Sequence, residues 1–149
     1  MNVGFKKLHP DAILPTYGHS ITDAGLDLYA LHDYNIWGEG FCIVETGVAW
    51  DGMSLVTETE KPVLIVQSRS GLAFNNGIEA SNAGIVDASY TGMIKVKLYN
   101  NSDRHYHITK GDKIAQGIVF MIPILTPEEV TEIAETLRGK KGFGSSGVS

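Results

Sequence analysis

Ile94-Lys95-Val96-Lys97-Leu98 is the stretch whose reading decides the fold. Apolar and basic side chains alternate with a period of two, which gives a strand one dry face and one wet face. A polar turn, Asn100-Asn101-Ser102-Asp103, follows it at once. The same grammar recurs on both sides. Leu26, Leu28 and Ala30 alternate with Asp27 and Tyr29. Val63 to Val66 is a short run rich in β-branched residues, and Ile118 to Ile122 reads as a buried strand. Trp37-Gly38-Glu39-Gly40, Asn75-Asn76-Gly77 and Lys110-Gly111-Asp112 punctuate these runs with turn formers. Short strands at this spacing predict an all-β, single-domain, jelly-roll-like barrel or sandwich. We find no repeat of fixed period and no internal linker.

One or two short helices interrupt the pattern. Ser70-Gly71-Leu72-Ala73-Phe74 fits a single helical turn with Ser70 at or near its N-cap. Thr126-Pro127-Glu128-Glu129 resembles a capping box with proline at the first helical position. Val130, Ile133, Ala134 and Leu137 follow at helical spacing, which predicts a helix near 127–137. Residues 138–149 have no packing pattern, so the chain divides into a β domain over 1–137 and a mobile arm over 138–149.

Composition narrows the function. The chain has 149 residues, 43% of them hydrophobic and 19% charged, enough for one real core. Cys42 is the one cysteine, which fits a reducing compartment. The longest apolar run, Ile118 to Leu125, contains Pro123 and is too short to span a bilayer. The N-terminus lacks the apolar core of a signal peptide, so a soluble, intracellular protein is expected. A net charge of −5 argues against a general nucleic-acid binder. The charge is uneven, however: Arg138, Lys140 and Lys141 make the arm basic, while the rest carries 9 basic and 17 acidic residues. His105 and His107 could share a strand face, but no third metal ligand accompanies them.

Five segments are poorly explained as scaffold. Ala24-Gly25-Leu26-Asp27-Leu28 puts an acid on the polar side of a strand. Ser68-Arg69-Ser70-Gly71-Leu72 puts a guanidinium and a hydroxyl where a helical turn starts, an anion site in miniature. Asn82 to Gly92 carries Asp87 and Tyr90 near the connecting end of an expected β-hairpin. A carboxylate there could deprotonate a water beside a bound anion. Gly111 to Gln116 is a polar turn entering an apolar strand. The arm offers glycine amides, Arg138, two serines and the flat face of Phe143. Taken singly, each also fits a surface acid, a capped turn or a loose tail.

Taken in order, AGLDL (24–28), RSGLA (69–73), GIVDASYTG (84–92), GDKIAQ (111–116) and RGKKGFGSSG (138–147) resemble the five motifs of the homotrimeric dUTPase family. The resemblance spans nearly the whole chain. It implies hydrolysis of dUTP to dUMP and pyrophosphate, which keeps uracil out of DNA and supplies dUMP for dTMP synthesis. It also implies a homotrimer whose sites draw motifs from more than one subunit. Asp87 would then be the general base for water attack at the α-phosphorus. Tyr90 would pack on the deoxyribose and exclude a 2′-hydroxyl. Backbone groups around 82–92, with Asn82 and Gly84, would read the uracil, and Lys95 would line the same site. Arg69, Ser70, Gly71 and Gln116 would meet the phosphate chain. Phe143 would stack over the base, while Arg138, Gly144, Ser145 and Ser146 would grip the γ-phosphate end. Mg2+ would be held mainly by the triphosphate, with Asp27 touching it through water. Two positions depart from the family's habit. Lys113 stands where arginine is common, keeping the charge without the fork, and Val86 stands where isoleucine is common. The related dCTP deaminases share the β fold but need a glutamate to activate water at the pyrimidine ring, and they lack this arm. A nucleotide-sensing regulator built on the same fold is the other alternative.

Overall fold

A computed structural model describes residues 2–140 and Gly142. Eleven strands follow in chain order: β1 (Gly4–Lys7), β2 (Leu26–Tyr29), β3 (Tyr34–Ile36), β4 (Phe41–Glu45), β5 (Val48–Asp51), β6 (Glu60–Gln67), β7 (Ile78–Ala80), β8 (Ile85–Asp87), β9 (Lys95–Asn100), β10 (Tyr106–Ile108) and β11 (Lys113–Pro123). Every pairing is antiparallel. A four-stranded sheet runs β2-β11-β6-β8 and a three-stranded sheet runs β4-β9-β7, with two-stranded ribbons β1-β5 and β10-β3. The all-β expectation holds.

The core sits between these sheets. Ile94, Val96 and Leu98 are buried on the dry face of β9 and its approach, as their spacing predicts. They join Leu28, Ile36, Val44, Leu64, Ile78, Ile108 and Ile114 in one cluster. Helix α1 (Ser70–Asn76) is the predicted helical turn, with Arg69 as the N-cap residue and Ser70 the first helical residue. It stops at Gly77, whose φ of +68° is the left-handed conformation that glycine adopts without a Cβ penalty.

Three expectations need correction. Residues 127–137 form no helix. Val130, Ile133 and Leu137 point into solvent at 62%, 88% and 106% exposure, so their apolar stripe is uncovered among the described residues. A helix that short is marginal without packing, and its capping residues do not rescue it. Second, β8 and β9 are not a hairpin: β8 pairs with β6, whereas β9 pairs with β4 and β7. The segment between them crosses from one sheet to the other. Third, the run Ile118 to Ile122 is a strand but is not buried among the described residues, for Phe120 and Ile122 are 47% and 36% exposed. Strand β11 is buried near its start and runs out past the core. No helix of the described residues is long and apolar enough to cross a membrane.

Candidate active site

The register of the large sheet assembles the first cleft. Gln116 on β11 stands opposite Asp27 on β2 and opposite Gln67 on β6, so three distant segments share one row. Chain continuity then brings Ser68, Arg69 and Ser70 to the same end of the sheet. Gln116 Nε2 donates to the Ser68 carbonyl (3.1 Å), tying the fourth segment to the second. Gly25 leaves room for this: a Cβ there would lie 3.1 Å from the Gln116 side chain and 3.2 Å from Ile118. The resulting cleft, about 270 Å³, is lined by Asp27, Arg69, Ser70, Gly71 and Gln116 together with Gly18 and His19.

Asp27 is not the exposed strand acid that its alternation suggests. It is 6% exposed. Arg69 Nε lies 3.0 Å from one of its carboxylate oxygens and Lys113 Nζ 2.8 Å from the other. Arg69 also donates to the Lys113 carbonyl (3.3 Å). Two cations thus face the one buried anion, while Asp23 adds a second acid at the cleft. The hydrogen bond to Asp27 raises the Lys113 ammonium above the ordinary lysine range, against desolvation and the repulsion of Arg69. Lys113 therefore serves here as a point charge on Asp27.

The second cleft is a separate place. Asp87, Tyr90, Met93 and Lys95, with Ile85, Val86 and Ile94, line a space of about 260 Å³. It shares no lining residue with the first cleft. Asp87 stands opposite Val63 on β6, whereas Ser70 lies beyond the far end of that strand. The four strand steps from Val63 to Gln67 alone are about 13 Å. Among the described residues β8 is an edge strand and is not paired with β9. Tyr90 is half-exposed, and its hydroxyl donates to the Met93 carbonyl (3.1 Å). Its ring lies over Gly92, where a Cβ would meet the hydroxyl at 2.5 Å. Lys95 is anchored by Glu45 at 2.8 Å. That bond lowers the Glu45 carboxyl and raises the Lys95 ammonium from their usual ranges.

Other expected residues fall differently. Gly84 packs against Val66, leaving no space for a Cβ beside the Val66 carbonyl (2.3 Å), and lines a shallow hollow beside Lys95 and Lys97. Asn82 is exposed and lines neither cleft. Arg138 is described and exposed, whereas Phe143, Gly144, Ser145 and Ser146 lie outside the described residues. His105 and His107 both approach Asn35 Oδ1, at 3.0 and 2.9 Å. Among the described residues no three His, Cys, Asp or Glu side chains converge into a metal-holding group. Sequence reasoning missed Gly18, His19 and Asp23 at the lip of the first cleft. Their signal was slight: Asp23 accepts the His19 amide (2.8 Å) in a local turn just ahead of the first segment.

Known proteins resemble this chain over nearly its whole length. The family model described as dUTPase matches residues 11–147. A deoxyuridine 5'-triphosphate nucleotidohydrolase of Helicobacter hepaticus is 39% identical over 150 aligned positions, covering all of this chain and 90% of that protein. One of Wolinella succinogenes is 41% identical, covering all of this chain and 96% of that protein. Among solved structures, a dUTPase mutant of Staphylococcus bacteriophage 80alpha with dUpNHpp superposes with a TM-score of 0.82 at 28% identity, covering 99% of both chains.

Proposed function

This chain belongs to the dUTPase family and is a dUTP diphosphatase, releasing dUMP and pyrophosphate, and we propose that it works by Asp87-activated attack of water at the α-phosphorus. The observation that carries this mechanism is the division of four of the five segments between two unlike clefts. One holds an acid and a tyrosine beside an open strand edge. The other is polar, with Arg69 and Ser70 at its wall. A deoxynucleoside triphosphate has the same division: a flat base and sugar at one end, an anionic chain at the other.

In this reading uracil enters between β8 and β9, where backbone donors and acceptors of an unpaired strand edge match its polar rim. Tyr90, fixed by its bond to the Met93 carbonyl, packs on the deoxyribose and leaves no room for a 2′-hydroxyl. The Asp87 carboxylate takes a proton from water as the new oxygen–phosphorus bond forms. The bond from the α-phosphorus to the bridging oxygen breaks, and pyrophosphate leaves. Arg69, Ser70, Gly71 and Gln116 hold the phosphate chain, and positioning plus electrostatics supply most of the rate. Residues 138–149 act as a lid, with Phe143 on the base and Arg138, Gly144, Ser145 and Ser146 at the γ-phosphate.

Mg2+ is the implied cofactor, and its chemistry is to offset the charge of the phosphate oxygens. The donor set fits an ion carried in by substrate. The described residues build no carboxylate cage. Asp27, already facing two cations, would meet the ion through water. Because the clefts lie apart on one chain, a homotrimer would complete each site by juxtaposing one subunit's Asp87 cleft with another's Arg69 cleft.

Pyrophosphate release from dUTP, UTP, dTTP and dCTP in Mg2+ tests the substrate. Turnover is expected for dUTP alone, and ammonia release from dCTP would refute the reading. Asp87→Asn is expected to bind dUTP with little change in affinity while kcat falls by about 10³-fold or more. Unchanged kcat would remove Asp87 from the mechanism.

A further inference from the structure

Trp50 lies on β5 and is 3% exposed. Its indole Nε1 donates to the main-chain carbonyl of Asp87 at 3.1 Å. The Tyr90 amide donates to the same oxygen, also at 3.1 Å. Next along β5's exit, Gly52 lies directly under Ala88. A Cβ on Gly52 would stand 2.7 Å from Ala88 Cα, 2.8 Å from the Ala88 carbonyl oxygen and 2.7 Å from the Trp50 ring. Thus the peptide that follows Asp87 is held at its oxygen by two donors and seated on a floor made by Trp50 and Gly52. Trp50 is itself fixed in the β1–β5 ribbon opposite Phe5.

We propose that Trp50 is a positioning residue for Asp87, holding the backbone from which the catalytic carboxylate is presented to water. The proposal rests on the reading of Asp87 as general base. A base must sit within about 3 Å of the proton it takes, and displacements near 1 Å cost up to about 100-fold in rate. The Asp87 side chain is exposed, so packing around the carboxylate does little to orient it. Its orientation comes from the backbone, and the indole N–H is one of the two donors fixing that backbone from outside the sheet ladder. A buried indole also needs a partner for its N–H, and a core leucine or phenylalanine would fill the volume without that need. The cost of using tryptophan here is met by a bond whose acceptor belongs to the reacting residue.

The test removes the donor and keeps the ring. Trp37, exposed and far along the chain, is first replaced by Phe, leaving Trp50 as the sole tryptophan. The Trp37→Phe protein is then produced with 3-benzothienylalanine in place of tryptophan, which exchanges the indole N–H for sulfur. Relative to Trp37→Phe with ordinary tryptophan, kcat for dUTP is expected to fall about tenfold while KM stays within about twofold. A purely packing role would leave kcat untouched, and unchanged kcat would overturn the proposal. Trp50→Phe in the otherwise natural chain should reproduce the kcat loss, with activity normalised to the folded fraction. Asp87→Asn, assayed in parallel, separates the two claims. If it abolishes turnover while the sulfur analogue is fully active, Trp50 does not position the base. If Asp87→Asn turns over normally, the base assignment falls, and this proposal falls with it.

Discussion

Asp27 carries its charge almost out of reach of solvent, and that decides what its neighbours do. A buried carboxylate without partners costs several kcal/mol, so Arg69 and Lys113 act first as the partners of this one. Lys113 has its pKa raised, chiefly by the hydrogen bond to Asp27. A lysine raised in the folded state stabilises fully below its unfolded value of about 10.4, and that contribution is lost as pH rises through the higher folded value. Lys113→Met should therefore destabilise the protein at pH 8, and the difference from wild type should shrink as pH rises through the raised lysine range. Urea midpoints of both proteins across this range measure it, and a difference independent of pH would mean the loss is one of packing. None of this was legible in AGLDL. The alternation around Asp27 is real, and the strand forms, but the two cations that bury the acid come from β11 and from the approach to α1. By contrast, Asp87 and Tyr90 were singled out from their own short segment, because both sit in one connection and reach one cleft without help from distant strands.

Elements stop where a residue lets them, and two glycines show the difference between conformation and space. Gly77 ends α1 at φ +68°, with its amide donating to carbonyls of the last turn. A Cβ there would approach nothing closer than 3.4 Å. Gly47, between β4 and β5, has φ +72°, and a Cβ would stand 2.8 Å from the Ala12 methyl and 3.0 Å from Leu31. Gly77→Ala should cost about 1 kcal/mol, the conformational penalty alone. Gly47→Ala adds overpacking against two buried residues and should cost about 2–4 kcal/mol. Denaturant midpoints rank the two, and equal losses would show that the core gives way around Gly47. Strands were readable because their alternation is local. The helix expected over 127–137 does not form because its caps and spacing are local too, while no surface among the described residues covers Val130, Ile133 and Leu137.

At the scale of the molecule, a single chain carries two clefts that share no lining residue. Along β6, Val63, which faces Asp87, and Gln67, which leads to Ser70, are four strand steps or about 13 Å apart. The exposed apolar end of β11 and the uncovered residues after it are surfaces a second copy could bury. If subunits exchange clefts around a closed ring, two different inactive variants should repair each other. Asp87→Asn disables the cleft of the base. Gln116→Glu keeps the size of the side chain but sets a negative charge against the phosphate chain in the other cleft. Each homotrimer should be nearly inactive. When the two chains are unfolded, mixed in equal amounts and refolded, each site draws its acid from one subunit and its glutamine from another. Each donor is intact half the time, so about a quarter of the sites are whole and about a quarter of wild-type kcat returns. If every site is built within one chain, each carries a lesion in every mixture and nothing returns. The mixture thus reads assembly from turnover, and a recovery near zero with trimers present would place both clefts of a site on the same subunit.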